Sequence, residues 1–208
     1  KLFEALTNLS AFTRLLRLEL KLLLKGHSIY WVLGLIALNL IQLFVDKSLL
    51  VSVFLPISWM WCVLVVSQLG QMEKQFNTLE LMTYNKQSVI LQNLAHICAA
   101  ILLLSLASLG GMLRFIASGE WLYVLQLIIA ISFTTSLAFF FGSLTNNKRM
   151  FEVVYPAIWY IGPLQSALNL DFFGVNSQAS WEANIPVYFA LLSAALITAV
   201  LIIKNKRA

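Results

Sequence analysis

Few side chains in this sequence can do chemistry, and His96 is the most prominent. It lies inside the apolar run SVILQNLAHICAAILLLSLASL, with Gln92 four residues and Asn93 three residues before it. In a helix that spacing places the three on neighbouring positions of one face. Two uses fit: a neutral imidazole hydrogen-bonded to another helix, or a set of polar groups lining a substrate path. Asn39 and Gln42, in NLIQLF, pose the same choice. Covalent chemistry lacks its parts. There is no G-x-S-x-G and no H-E-x-x-H, and His96 has no serine or metal-ligand partner at motif spacing. FGSLTNNKRM contains Gly142 and Lys148 but not the second glycine beside the lysine that a phosphate loop needs. Cys62 and Cys98 both sit in apolar runs and read as small buried hydrophobes. Trp59, Trp61, Trp159 and Tyr160 read as packing and interface residues. No catalytic residue and no metal ligand is expected, and no ATP hydrolysis by this chain itself.

The elements that must position these residues follow from composition. Of 208 residues, 60% are hydrophobic and 11% charged, with a mean hydropathy of +0.84. Soluble domains carry about 25% charge, so the chain reads as a membrane protein. Crossing the hydrocarbon takes roughly 17–25 apolar residues. Six segments approach that: Tyr30–Val45, Leu49–Leu69, Ser88–Leu109, Trp121–Ser143, Val153–Leu170 and Ile185–Ile203. They lack the alternation of barrel strands. Pro156 and Gly162-Pro163 break the fifth, and a break in lipid must be shielded by protein or line a cavity. The stretch Ile161–Asn184 is therefore expected to fold back at the outer surface as a short re-entrant or surface helix, near the exit of any pathway. The spans carry almost no carboxylates, which weighs against a proton-driven carrier.

Lys and Arg set the orientation. With the N-terminus in the cytoplasm, twelve fall on that side and two, Lys47 and Arg114, on the other. Both termini are then cytoplasmic, as an even number of spans requires. A net charge of +5, placed this way, fits a membrane better than nucleic acid. The N-terminal segment is not a span. Arg14, Arg17, Lys21 and Lys25 follow at intervals of 3, 4 and 4, opposite Leu9, Phe12, Leu16, Leu20 and Leu23. This is a basic amphipathic helix for the membrane surface. Glu19 falls on its apolar side, as a carboxylate snorkelling at the interface or the partner of a cation on another helix. The charged, amphipathic start does not read as a cleavable signal peptide.

Between the second and third spans lies a polar island, QMEKQFNTLELMTYNKQ, Gln71 to Gln87. Met72, Phe76, Leu79 and Met82 fall on one side of a helix, and Glu73, Asn77, Glu80 and Tyr84 on the other. Asn77 suits a helix end, and Asn77 to Glu80 has capping-box spacing. A patterned surface helix of this kind either seats the two spans or receives a partner.

MEKQFNTLELMTYNKQSVIL resembles the segment between spans two and three of type 2 ABC exporter permeases. Glu73, Thr78, Leu79, Glu80 and Leu81 match the usual acidic residue and Gly-Thr-Leu-Glu-Leu core. Asn77 stands for the glycine, and Asn85-Lys86 stand where a proline is usual. The layout of the whole chain resembles the same family, and KRMFEVVYPAIWYIGPLQSALNLDFFG resembles the C-terminal half of longer, two-part bacterial permeases. With Lys1 rather than Met as first residue, the chain is expected to be such a half. The resemblance implies that the island docks on an ATP-binding-cassette ATPase subunit through Glu73, Phe76, Asn77, Thr78, Leu79 and Glu80. The helix bearing Arg14, Arg17, Glu19, Lys21 and Lys25 would be a second contact. Asn39, Gln42, Gln92, Asn93 and His96 are the possible substrate path. The expectation is an all-α, polytopic membrane protein: one permease domain, 1–208, with an amphipathic interfacial helix (1–26), a six-helix transmembrane bundle (27–203) and a cytoplasmic tail (204–208). It would sit in the bacterial inner membrane, pair with a second permease domain, bind membrane lipids and no cofactor, and leave ATP and magnesium to the partner. The alternatives are a non-transporting anchor for a soluble protein and an ion-coupled carrier.

Overall fold

The computed structural model describes residues 2–25, 27–69, 86–165 and 167–207, with side chains for 12–25, 27–69, 91–165 and 167–204. The protein is all-helical, with no strand among the described residues. In chain order the helices are α1 (Leu2–Leu24), α2 (Ile29–Phe44), α3 (Lys47–Val66), α4 (Lys86–Ala107), α5 (Leu109–Ala117), α6 (Trp121–Thr145), α7 (Arg149–Trp159), α8 (Ser177–Glu182) and α9 (Ile185–Arg207).

Local chemistry explains their ends and bends. Ser28 caps α2, its hydroxyl accepting from the Trp31 amide. Within α3 the turn Leu50–Phe54 widens to π geometry just before Pro56. The ring of Pro56 would strike the carbonyl four residues back in a regular helix, and the wider turn gives it room. A second π turn, Tyr160–Leu164, ends α7 around Pro163. Asn146 (φ 50°) and Asn184 (φ 56°) take the left-handed conformation after α6 and before α9, which asparagine tolerates.

Among the described residues three helices are long and apolar enough to cross a membrane: α3, α6 and Ile185–Lys204 of α9. Two bent pairs would raise this to five. One is α1 from Phe12 with α2, at 102°, and the other is Leu91–Ala107 of α4 with α5, at 66°. Six crossing helices are therefore met in part. α2 has 16 residues, about 24 Å of helix. The fifth expected segment divides into α7, the π turn and a 3-10 turn at Leu168–Leu170.

α6 is the centre, its residues Phe133 to Phe139 all buried, and α9 lies along it. α1 packs on α4. Outward faces stay apolar: Ile29, Leu33, Ile36, Leu40 and Phe44 on α2, and Leu191, Leu201 and Ile202 on α9, are exposed. Hydrocarbon tolerates such a surface and water does not, as expected of a membrane-embedded protein. Two ion pairs mark the opposite ends of α3. At one, Lys47 pairs with Glu120 at 2.6 Å and lies over the Tyr123 ring, and Arg114 donates to the Val45 carbonyl. At the other, Lys148 faces Glu152, which accepts from Ser67 Oγ at 3.0 Å.

Candidate functional site: buried polar groups of the helices

The basic stripe of α1 is exposed at Arg14, Arg17, Lys21 and Lys25, while Leu23 and Glu19 are buried. The amphipathic pattern thus turns one carboxylate inward with the leucines. Glu19 is 5% exposed and His96, on α4, 1% exposed. Glu19 Oε1 lies 3.3 Å from His96 Nδ1, and the same nitrogen is 3.0 Å from the Gln92 carbonyl. A carbonyl oxygen only accepts, so Nδ1 carries the hydrogen and faces both oxygens. One turn earlier on α4, Asn93 Oδ1 accepts from Lys204 Nζ of α9 at 2.5 Å. The ammonium also rests 4.7 Å from the Phe139 ring centroid, a cation–π distance.

Residues 92–96 of α4 therefore meet a carboxyl group from α1, at His96, and an ammonium from α9, at Asn93. Such a cluster can fix three helices to one another, and it can hold a proton. Among the described residues no group of three or more His, Cys, Asp or Glu could hold a metal ion.

The other path residues lie elsewhere. Gln42 is fully buried. Its Nε2 donates to Ser58 Oγ (2.7 Å) and to the Ala107 carbonyl (3.0 Å), and its Oε1 accepts from the Gly111 amide (2.9 Å). Asn39 Oδ1 accepts from the Gly110 amide at 2.9 Å, and its Nδ2 donates to the Leu35 carbonyl at 3.0 Å. The bend between α4 and α5 frees backbone groups, and two amide side chains of α2 satisfy them. Asn39 and Gln42 thus form one knot, and Gln92, Asn93 and His96 belong to another. The docking residues Glu73, Phe76, Asn77, Thr78, Leu79 and Glu80 lie outside the described residues.

A third polar centre has no counterpart among the sequence expectations. Asp171 is fully buried. Its carboxylate accepts from the amides of Gly174 (2.9 Å), Val175 (2.8 Å) and Asn176 (2.8 Å) and from Ser180 Oγ (2.6 Å). Gln126 Nε2 donates to the Asp171 carbonyl at 3.1 Å. This wraps the chain tightly and drives Phe172 and Phe173 into the bundle. Phe173 meets Trp59 with ring centroids 4.5 Å apart, and Phe172 packs among Phe133, Tyr155 and Phe189. Within the stretch 161–184, expected to fold back as a re-entrant or surface helix, Phe172 and Phe173 are buried in the bundle. The Asp-x-x-Gly spacing of Asp171 and Gly174, with two phenylalanines between, was the signal in the sequence.

No protein-family model, curated protein sequence or solved structure matches the chain.

Proposed function

We propose that this chain is the membrane-spanning permease component of an ATP-binding-cassette exporter, moving a substrate with energy from separate ATP-binding subunits. In this reading it has six spans, both termini in the cytoplasm and α1 along the inner surface of a bacterial inner membrane. It pairs with a second permease domain, and ATP and magnesium stay on the partner. The island Gln71–Gln87 docks the partner through Glu73, Phe76, Asn77, Thr78, Leu79 and Glu80.

One observation carries the reading. The helices on both sides of the island are tied by polar side chains to other helices. Ser67, at the end of α3, bonds Glu152 of α7. Asn93 and His96, early in α4, meet Lys204 of α9 and Glu19 of α1. A push on the island would therefore reach α1, α7 and α9, which a passive connecting segment does not need.

The test is co-expression of the full-length protein with its neighbouring gene products, purification in mild detergent and measurement of vanadate-sensitive ATPase activity. The reading expects an ATPase to co-purify, and Glu73→Ala, Leu79→Ala and Glu80→Ala to release or uncouple it. Failure of any ATPase to accompany the wild type would count against it. A soluble partner without nucleotide dependence would instead identify an anchor subunit.

A second reading, an ion-coupled carrier, gains from the buried Glu19–His96 pair, because a carboxylate beside an imidazole inside a bundle can relay a proton. It expects uptake or efflux driven by a pH gradient in vesicles free of ATP.

A further inference from the structure

We infer that Glu19 and His96 form the latch through which movement of the island reaches α1, with Glu19 as a positioning residue that acts through His96. The inference rests on the exporter reading. α4 begins at Lys86, where the island ends in the sequence, and His96 stands about 15 Å along it. A helix is stiff over that length, so displacement of its first turn arrives at His96 nearly undiminished. What happens next depends on the contact between α4 and α1. Apolar contacts between the two helices permit small slips, because dispersion forces are weakly directional. The contact between Glu19 and His96 does not. A hydrogen bond is directional, and its groups are 5% and 1% exposed, so water cannot replace a lost partner.

The ring cannot swing to absorb the motion either. Its Nδ1 is held at 3.0 Å by the Gln92 carbonyl of the same helix, which fixes the imidazole to the α4 backbone. Glu19 therefore follows α4, and α1 follows Glu19, carrying its exposed basic stripe with it. The bond from Lys204 to Asn93 ties α9 to the same stretch of α4.

The test uses the full chain with its co-expressed ATP-binding partner in lipid nanodiscs, and ATP as the probe. Two quantities are read: the partner retained, and the ATPase rate relative to the partner alone. Glu19→Ala and His96→Ala should keep the partner yet lower the permease-dependent rate roughly three- to thirtyfold. The double variant should be no worse than either single one, as expected of groups acting as a unit. Glu19→Gln, which keeps an acceptor for the Nδ1 hydrogen, should recover most of the rate. The apolar pair Glu19→Leu with His96→Phe guards against misfolding, since replacing both partners of a buried polar contact by apolar groups can be nearly neutral for stability. It should fold, retain the partner and remain uncoupled. Undiminished stimulation in the alanine variants or the apolar pair would overturn the latch and leave the exporter reading standing. A loss of rate that only tracks loss of partner would also overturn it, as the mark of a structural role. If no ATPase accompanies the wild type, the exporter reading itself fails and the latch falls with it.

Discussion

Asp171 shows how one side chain organises a segment. Three backbone amides and a hydroxyl point at its carboxylate, and the Gly174 amide and the Ser180 hydroxyl are buried with it. Removing the acceptor leaves buried donors with nothing to bond, the costly case for a hydrogen bond. Asp171→Ala is therefore expected to destabilise the protein by about 3 kcal/mol or more, seen as a lower Tm in detergent, and to free Phe172 and Phe173 from the bundle. Asp171→Asn keeps one carbonyl oxygen and should lie between the two. Gln42 makes a parallel case. Gln42→Leu preserves bulk but strands the Gly111 amide and the Ala107 carbonyl, at a cost of about 2–4 kcal/mol. An unchanged Tm in Gln42→Leu would mean that the knot contributes little. These roles were not legible in the sequence. It showed an amide in an apolar run, but not that a helix break seventy residues later would supply its partners.

At the scale of elements, small residues decide how closely helices approach. A Cβ at Gly110 would lie 2.3 Å from the Asn39 carbonyl oxygen, which is backbone and cannot move alone. Gly110→Ala should push α5 from α2 and cost about 1–3 kcal/mol. Gly119 is the control. Its φ is +73° with open space around it, so Gly119→Ala carries only the backbone penalty of about 1–2 kcal/mol. Thermal unfolding of the two variants side by side checks the distinction: the Gly110 variant should also lose protection of the Gly110 and Gly111 amides in hydrogen exchange, and the Gly119 variant should not. The α2–α3 contact works similarly. Gly34 lies under the Trp61 ring, and the indoles of Trp31 and Trp61 each donate to the other's backbone carbonyl, at 3.3 and 3.2 Å. The helices themselves were largely legible, since apolar runs and Ser, Asn and Pro positions mark their ends. Hidden were the 66° bend at Ser108 and the inward turn of Phe172-Phe173, where tertiary contacts overrule a local pattern that reads as continuous helix or surface loop.

For the whole molecule, the placement of two ion pairs at opposite ends of α3 makes a topological prediction. In a background with Cys62→Ala and Cys98→Ser, a cysteine at Lys47 and one at Lys148 should be labelled by an impermeant maleimide from opposite faces of the membrane. Labelling of both from the same face would refute the arrangement in which α3, the bent pair α4–α5 and α6 each cross the membrane. The sequence by itself determined that this chain is helical and built for lipid, because hydrophobic content and segment length are sums over residues that need no coordinates. It also determined that α1 is amphipathic, because a helix places every third or fourth residue on one face whatever surrounds it. Only the tertiary structure decided which buried polar groups meet: Glu19 with His96, Asn93 with Lys204, Gln42 with the start of α5, and Asp171 with the turn that follows it. A polar group in an apolar run must find a partner, and that requirement is local. The identity of the partner depends on how distant helices cross, and is fixed only when they pack.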